Sequence, residues 1–208
     1  MKNQYVGDIG DYGKLGLLRQ LKGFKLGVNW YLTDSLQVDY LNDEYIADKP
    51  LHEALKELVN TDKRTVSALE PLLPDATFYG ELLDTQSRKE WHKKALEKLK
   101  GCELIFLDPD NGLEISKQDS KHVNYTEVAD YFKAGASVII YQHNDHRGEQ
   151  GHIARCDRLC KEIPDCKLIC LSFTGRDFIF VIQPKHYETL DKQVQEIVTK
   201  WNGRFGIK

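Results

Sequence analysis

Short apolar runs alternate with segments of helical periodicity along this chain of 208 residues. Apolar runs of about four to eight residues, bounded by turn residues, are typical of buried strands. The strand-like segments are 26–32, 76–83, 103–107, 136–141, 167–173 and 178–182. Between them, apolar positions recur at the spacing of amphipathic helices. The alternation predicts an α/β fold with a mainly parallel sheet flanked by helices.

The helical segments carry recognisable start and stop signals. Ser87 with Glu90, and Asn124 with Glu127, have the spacing of capping boxes, and Gly135 fits a C-terminal stop. Further helices are predicted at 149–163 and 186–201. The whole chain, 1–208, is predicted to form a single α/β domain, with a helical insertion at about 37–73 after the first strand.

The last two predicted strands are separated only by the four residues 174–177. A parallel crossover needs a dozen or more residues, so this linker can join only antiparallel neighbours. The predicted fold is therefore a Rossmann-like, mainly parallel sheet that ends in a C-terminal antiparallel hairpin.

Composition limits the class of protein. The chain is 41% hydrophobic and 29% charged, with a net charge of −3. This net charge argues against a protein that attracts nucleic acid through its overall electrostatic field, but a local basic patch stays open. No apolar run has the length of a membrane span, and the first residues lack a signal-peptide core, so a cytoplasmic protein without membrane contact is predicted. The basic run 88–100 is interpreted as solvated surface.

Five cysteines fit a reducing compartment. His152, Cys156 and Cys160 recur every four residues on a predicted helix, with Cys166 and Cys170 close behind. This spacing suits a metal site, but free cysteines are also common small core residues, and the core interpretation is favoured.

The most informative segment is Asp108-Pro109-Asp110-Asn111-Gly112, which follows the apolar run 104–107. Ligands bind beyond the carboxyl ends of strands in open α/β sheets, so the two carboxylates and the amide lie where a ligand is expected. The alternative is an ordinary polar turn, because these residue types also favour turns.

Two other segments carry candidate chemistry. The glycine-rich stretch Gly7 to Lys14 precedes an apolar helix; it lacks the Walker A pattern, and its glycines serve either a ligand or a turn capped by Asp11. The segment 141–148 follows a buried strand and contains His143, His146 and Arg147, which suit acid–base chemistry or anion binding.

These segments together resemble a family. The chain is remotely similar to class I S-adenosylmethionine-dependent methyltransferases, of the type that modifies adenine N6 in ribosomal RNA, and to the partner proteins of three-cysteine-motif proteins. The resemblance lies in Asp11-Tyr12-Gly13-Lys14, in Leu107-Asp108-Pro109-Asp110-Asn111, in the strand 138–143 and in the final hairpin running into Pro184.

The resemblance implies a methyltransferase-like enzyme that binds S-adenosylmethionine and acts on an amino group of a nucleobase, in a nucleic acid or a nucleotide. The catalytic residues that it implies are Asp108, Asp110, Asn111, Lys14 and His143. The cofactor-binding residues that it implies are Gly10, Asp11, Tyr12 and Asp34.

Departures from the family pattern keep two alternatives open. Asp110 and Asn111 stand where the motif has a proline and a stacking aromatic, and Thr33-Asp34-Ser35 replaces a glycine-rich cofactor loop. One alternative is a phosphoesterase or nuclease that depends on Mg²⁺ or Mn²⁺. Its metal ligands would be Asp108, Asp110, Glu114 and His143. The other is a catalytically degenerate binding module.

Overall fold

A computed structural model of the chain describes residues 1–33, 47–61, 64–114 and 119–208. The α-helices found there are α1 (Ile9–Leu18), α2 (Lys49–Asn60), α3 (Arg88–Lys98), α4 (Tyr125–Lys133), α5 (Gly148–Glu162) and α6 (Tyr187–Lys200). The strands are β1 (Leu26–Asn29), β2 (Thr77–Tyr79), β3 (Leu104–Leu107), β4 (Gly112–Leu113), β5 (His122–Val123), β6 (Ser137–His143), β7 (Lys167–Phe173), β8 (Arg176–Ile182) and β9 (Gly206–Ile207).

The main sheet has the strand order β2-β1-β3-β6-β8-β7-β9. Strands β2, β1, β3 and β6 are parallel, whereas β8 runs antiparallel to both of its neighbours, β6 and β7. The short strand β9 pairs antiparallel with β7, and β4 and β5 form a separate two-stranded parallel sheet. The predicted α/β architecture with a mostly parallel sheet is confirmed.

The predicted strands are all present, but their ends differ. Strand β1 stops at Asn29 instead of position 32, and Tyr31 takes a left-handed conformation (φ 45°) that leaves the strand path. Strand β6 continues to His143, and β8 begins at Arg176, so only Thr174 and Gly175 connect β7 to β8. The polar residues at 142–143 and 176–177, which were predicted to lie in loops, therefore belong to strands.

Each face of the sheet is covered by helices around its own apolar cluster. One cluster joins alternate sheet residues such as Phe106 and Phe180 to α1, α2 and α6, and the other joins residues such as Ile105 and Ile179 to α3, α4 and α5. The alternation follows from the two-residue period of a strand. The sheet is thus the shared middle layer between two helical layers.

The helix-start predictions are partly right. Asn124 and Glu127 form the expected capping box at α4, with the Asn124 amide donating to Glu127 Oε2 at 3.0 Å, and Gly135 follows the helix at φ 94°. The capping box predicted at α3 does not form, because the Ser87 hydroxyl donates to Asp84 instead. Arg88, predicted to be solvated with the basic run 88–100, is buried.

The predicted insertion at about 37–73 is helical where the structure describes it: it holds α2 and a 3₁₀ helix, Val66–Leu72. Leu51, Leu55 and Leu69 from this region are buried in the core. Positions 37–46 and 62–63 of the predicted insertion lie outside the described residues. None of the described helices combines the length and the apolar character that a bilayer crossing requires.

Candidate functional site

A cleft of about 300 Å³ lies beyond the carboxyl ends of β3 and β6. The chain passes from β1 to β2 on one side and returns to β3 on the other side of β1, so the strand order reverses next to this cleft. Ligand crevices of open α/β sheets lie at such reversals. Five predicted site residues line the cleft together: Lys14, Asp108, Asp110, Asn111 and His143. Asp11, which was expected at the same site, does not line the cleft.

A buried ion cluster forms one wall. Helix α1 starts at the N-cap Asp8, whose carboxylate accepts the Asp11 amide, and its first turns carry Asp11 and Lys14 on one face. The Lys14 Nζ atom lies 2.9 Å from Asp108 Oδ2 and 2.7 Å from Asp11 Oδ1. The contact with Asp11 has the distance of an ion pair but not the alignment of a hydrogen bond. Lys14 is 4% exposed and Asp108 1%. One ammonium therefore serves two buried carboxylates.

Burial and charge act against each other in this cluster. Burial disfavours the charged Lys14 side chain, but attraction to Asp108 and Asp11 outweighs it, so the Lys14 pKa rises well above its ordinary value. Burial raises the pKa of Asp11 to about 7, against the opposing influence of Lys14. The fully buried Asp11 therefore takes up a proton more readily than an ordinary aspartate.

Asp110 is held at the cleft by polar contacts on both of its oxygens. Its Oδ2 accepts the Thr33 hydroxyl at 2.8 Å, and its Oδ1 lies 3.2 Å from the amino nitrogen of Met1. The Met1 nitrogen also donates to the carbonyls of Tyr31 and Asp108, at 3.0 and 2.8 Å. The segment that follows β3 is thereby tied to the segment that follows β1.

Asn111 is fixed through its backbone. Its carbonyl accepts the amides of His143 and of the Gln142 side chain, at 3.2 and 3.0 Å. The next residue, Gly112, has φ 109°, and a Cβ there would lie 2.3 Å from Gln142 Oε1. Glycine is required at this position because the turn brings the backbone against Gln142. Asn111 itself lines the cleft.

His143 ends β6 beside two residues of the same sheet face. Tyr141 lies two positions before it, with ring centroids 5.3 Å apart, and Arg176 is its partner in the β6–β8 register. Burial lowers the His143 pKa to about 4, and the nearby cations Arg176 and Lys14 contribute to the shift. The imidazole is therefore neutral at pH 7 and can accept or donate a hydrogen bond.

Three of the predicted cofactor residues, Gly10, Asp11 and Tyr12, do not line the cleft. Gly10 packs against Tyr141, whose hydroxyl would lie 2.5 Å from an added Cβ. Tyr12 is buried in the core, where its ring contacts Trp201, and Asp11 is fully buried behind Lys14. These residues have packing and ion-pair roles instead of free ligand contacts. Asp34 lies outside the described residues.

The alternative metal ligands are not assembled as a group. Glu114 does not line the cleft, and its Oε1 pairs with Arg158 at 3.1 Å. Asp108 is held by Lys14. Within the described residues, only one set of three His, Cys, Asp or Glu side chains brings its ligand atoms within 4.8 Å of one another, and it lies elsewhere in the molecule.

Outside the segment 108–111, seven further residues of the cleft were not predicted as site residues. They are Met1, Lys2, Tyr5, Asp8, Lys121, Tyr141 and Arg176. Two of them carried a usable signal: Tyr141 shares a face with His143 because side chains repeat every second residue, and Arg176 opens the strand that pairs with β6. Tyr5 ends a short 3₁₀ helix, Asn3–Tyr5, and Lys121 lies in a turn, and no local pattern predicts the path of either segment.

Comparisons of the chain with models of known protein families, with curated proteins and with solved structures each found no match. Its function therefore has to be inferred from the chemistry of the cleft.

Proposed function

We propose that the cleft binds a nucleotide or a short segment of nucleic acid. The observation that carries this proposal is a cluster of four cationic side chains on a chain of net charge −3: Lys2, Lys14, Lys121 and Arg176 line one cleft, beside the carboxylates of Asp8, Asp108 and Asp110. Basic side chains around a groove are the usual means of holding phosphate groups.

The cations differ in how much of their charge is already compensated. Lys14 is paired with Asp108, and Lys2 lies 3.6 Å from Asp110. Lys121 is exposed at the rim, and the buried Nε atom of Arg176 has no hydrogen-bond partner among the described residues. Lys121 and Arg176 are therefore the residues best placed to bind a phosphate, with the guanidinium offering paired donors.

The floor and walls suit a base. Tyr5 is half-buried at the cleft and offers the aromatic face that the segment after β3 lacks. The side chains of Asn111 and of neutral His143 offer donors and acceptors for base edges. A volume of about 300 Å³ is at the lower end of small-molecule sites and suits one nucleoside-sized group.

Binding of labelled single-stranded RNA and DNA, and of nucleoside monophosphates, tests the proposal by fluorescence anisotropy and calorimetry. Arg176→Gln and Lys121→Gln should each weaken oligonucleotide binding and lower the slope of log affinity against log salt by about 1. Tyr5→Ala should cost about 1–3 kcal/mol of binding, with Tyr5→Phe close to wild type.

The matched control is Lys185→Gln. Lys185 is an exposed cation beyond the far end of β8, at the opposite edge of the sheet. The Lys185→Gln variant should leave the oligonucleotide affinity and its salt dependence unchanged. Equal losses in Lys185→Gln and Arg176→Gln, or no binding by the wild-type protein, would refute a specific nucleotide site.

Methyl transfer to a nucleobase amino group is a second candidate, together with the Rossmann-like assignment of the sheet. It is favoured by one observation: Lys14 of the Asp-x-x-Lys segment contacts Asp108 of the Asp-Pro segment, next to a parallel sheet whose antiparallel strand β8 lies between β6 and β7. Three of the four residues predicted to bind S-adenosylmethionine do not fit that role, because Gly10, Asp11 and Tyr12 face inward.

Thermal shifts separate these candidates. A ligand that binds only the native state at a hundredfold excess over its dissociation constant stabilises it by about 2.7 kcal/mol. Stabilisation by S-adenosylmethionine supports the methyltransferase candidate; stabilisation by nucleotides alone supports a binding module.

Asp108→Asn should slow methyl transfer while sparing cofactor affinity. Stabilisation by Mg²⁺ or Mn²⁺ that Asp108→Asn abolishes would instead support metal-dependent hydrolysis.

A further inference from the structure

Three potential metal ligands meet on the sheet face opposite the cleft. His152 and Cys156 lie one helical turn apart on α5, and Cys170 lies on β7 beneath that helix. Within β8, consecutive side chains alternate between faces, so Arg176 belongs to the cleft and Asp177 to the α5 side. All five cysteines of the chain are described, and all are free thiols.

The distances between ligand atoms are those of a metal site. Cys156 Sγ lies 3.7 Å from His152 Nε2 and 4.0 Å from Cys170 Sγ, and the ligand atoms of the three residues lie within 4.8 Å of one another. Tetrahedral zinc, with bonds of about 2.3 Å to sulfur and about 2.0 Å to nitrogen, separates two sulfurs by about 3.8 Å and sulfur from nitrogen by about 3.5 Å. Small side-chain adjustments would complete this geometry.

A buried carboxylate lies behind the histidine. His152 Nδ1 lies 3.4 Å from Asp177 Oδ2, near enough for electrostatic attraction though without hydrogen-bond alignment, and Asp177 is 1% exposed. Lys208 Nζ lies 2.7 Å from the same carboxylate and fixes it. Metal-bound histidines commonly donate their second ring N–H to a carboxylate, which orients the ring and favours the tautomer with a free Nε2.

We propose that His152, Cys156 and Cys170 bind one zinc ion, with Asp177 positioning the histidine. Two thiolates and an imidazole in near-tetrahedral arrangement select zinc over Mg²⁺ or Ca²⁺, which prefer oxygen ligands. Within the described residues, no fourth side chain of these types joins the group. The fourth position falls to water or an added ligand, which can enter because the His152 side chain is 13% exposed.

The test is zinc content and cobalt spectroscopy of the full-length protein, purified under reducing conditions. Wild type should hold about one zinc per chain, and its Co²⁺ form should show the visible bands of a tetrahedral site and thiolate-to-metal charge transfer. Cys156→Ser should abolish both signals. Asp177→Asn should keep the cobalt spectrum but weaken zinc affinity roughly 10- to 100-fold, measured against a chromophoric chelator.

The matched control is Cys160→Ser, one turn further along α5, exposed and outside the three-residue group. It should bind zinc as wild type does. Circular dichroism of each variant shows whether it is folded, and Cys170→Ser provides a second ligand deletion. Absence of zinc binding by reduced wild type, equal loss in Cys160→Ser and Cys156→Ser, or a disulfide between Cys156 and Cys170 that forms in place of metal binding would each overturn the proposal.

Discussion

Lys14 illustrates how one residue can tie together distant parts of a chain. Its ammonium joins Asp11 on the same helix to Asp108, which lies 94 residues away in sequence, and it also lies 4.8 Å from the centroid of the Tyr141 ring. A buried charge is tolerated only where partners compensate the loss of hydration. Lys14, Asp11 and Asp108 are therefore tolerated in the interior only as a group.

Lys14→Met should destabilise the protein by about 3–5 kcal/mol, because two buried carboxylates are left facing each other. The double variant Lys14→Met/Asp108→Asn should lose less free energy of unfolding than the two single variants added together. The difference, measured by urea unfolding, should be about 0.5–3 kcal/mol. The control is Lys94→Met, which breaks an exposed pair with Glu81 and should cost under about 1 kcal/mol. Equal costs at Lys14 and Lys94 would contradict a buried ion cluster.

His143 makes stability depend on pH. Its pKa is about 4 when folded, against an ordinary value of 6.5, so between these pH values the unfolded chain binds the extra proton. The contribution is fully present above pH 6.5 and is lost as pH falls toward 4. Between pH 7 and pH 5, wild type should lose about 1–2 kcal/mol more than His143→Gln, measured by urea denaturation. Parallel losses in both proteins would show that another group titrates.

At the scale of elements, close packing of helix α1 depends on glycine. A Cβ on Gly16 would lie 2.3 Å from ring atoms of Trp201, and one on Gly13 would lie 2.5 Å from Phe173. The helix thus lies directly on aromatic rings that anchor α6 and β7. This approach brings Lys14, between the two glycines, to the end of β3.

Gly16→Ala should therefore destabilise the protein by about 1–3 kcal/mol through overpacking, although alanine is normally the better helix residue. Gly80→Ala is the matched control: Gly80 is exposed, and its nearest contact, Trp30 Cδ1, would lie at an ordinary 3.5 Å. Its change should stay within about 0.5 kcal/mol. Denaturant midpoints of the two variants measure the difference, and a neutral Gly16→Ala would mean that Trp201 can move aside.

The predictability of these elements follows from the range of the interactions that form them. Strand β3 and the polar residues after it were predictable because a buried run that ends in turn residues is a local pattern. The separate roles of Gly10 and Tyr12 were not, since contacts with Tyr141 and Trp201 come from residues far along the chain. Likewise, β1 ends early because Tyr31 turns away, which its apolar sequence does not indicate.

At the scale of the whole molecule, the sheet is shared by both apolar clusters. Trp30 and Trp201 belong to the cluster on the α1 side, and Trp91 to the cluster on the α3 side. Neighbouring residues of one strand, such as Phe106 and Leu107, contribute to opposite clusters. Neither helical layer can therefore lose its packing without exposing one face of the strands that support the other.

This arrangement predicts one cooperative unfolding transition, even though 208 residues exceeds the size at which two-state behaviour is usual. In Trp91→Phe, fluorescence reports only the α1 side, whereas far-UV circular dichroism reports helices on both sides. The two urea midpoints should coincide in this variant. In the double variant Trp30→Phe/Trp201→Phe only Trp91 remains, so its fluorescence reports the α3 side, and the same two midpoints are compared there. If the fluorescence and circular dichroism midpoints differed within either variant, the two layers would unfold separately and the sheet would not couple them.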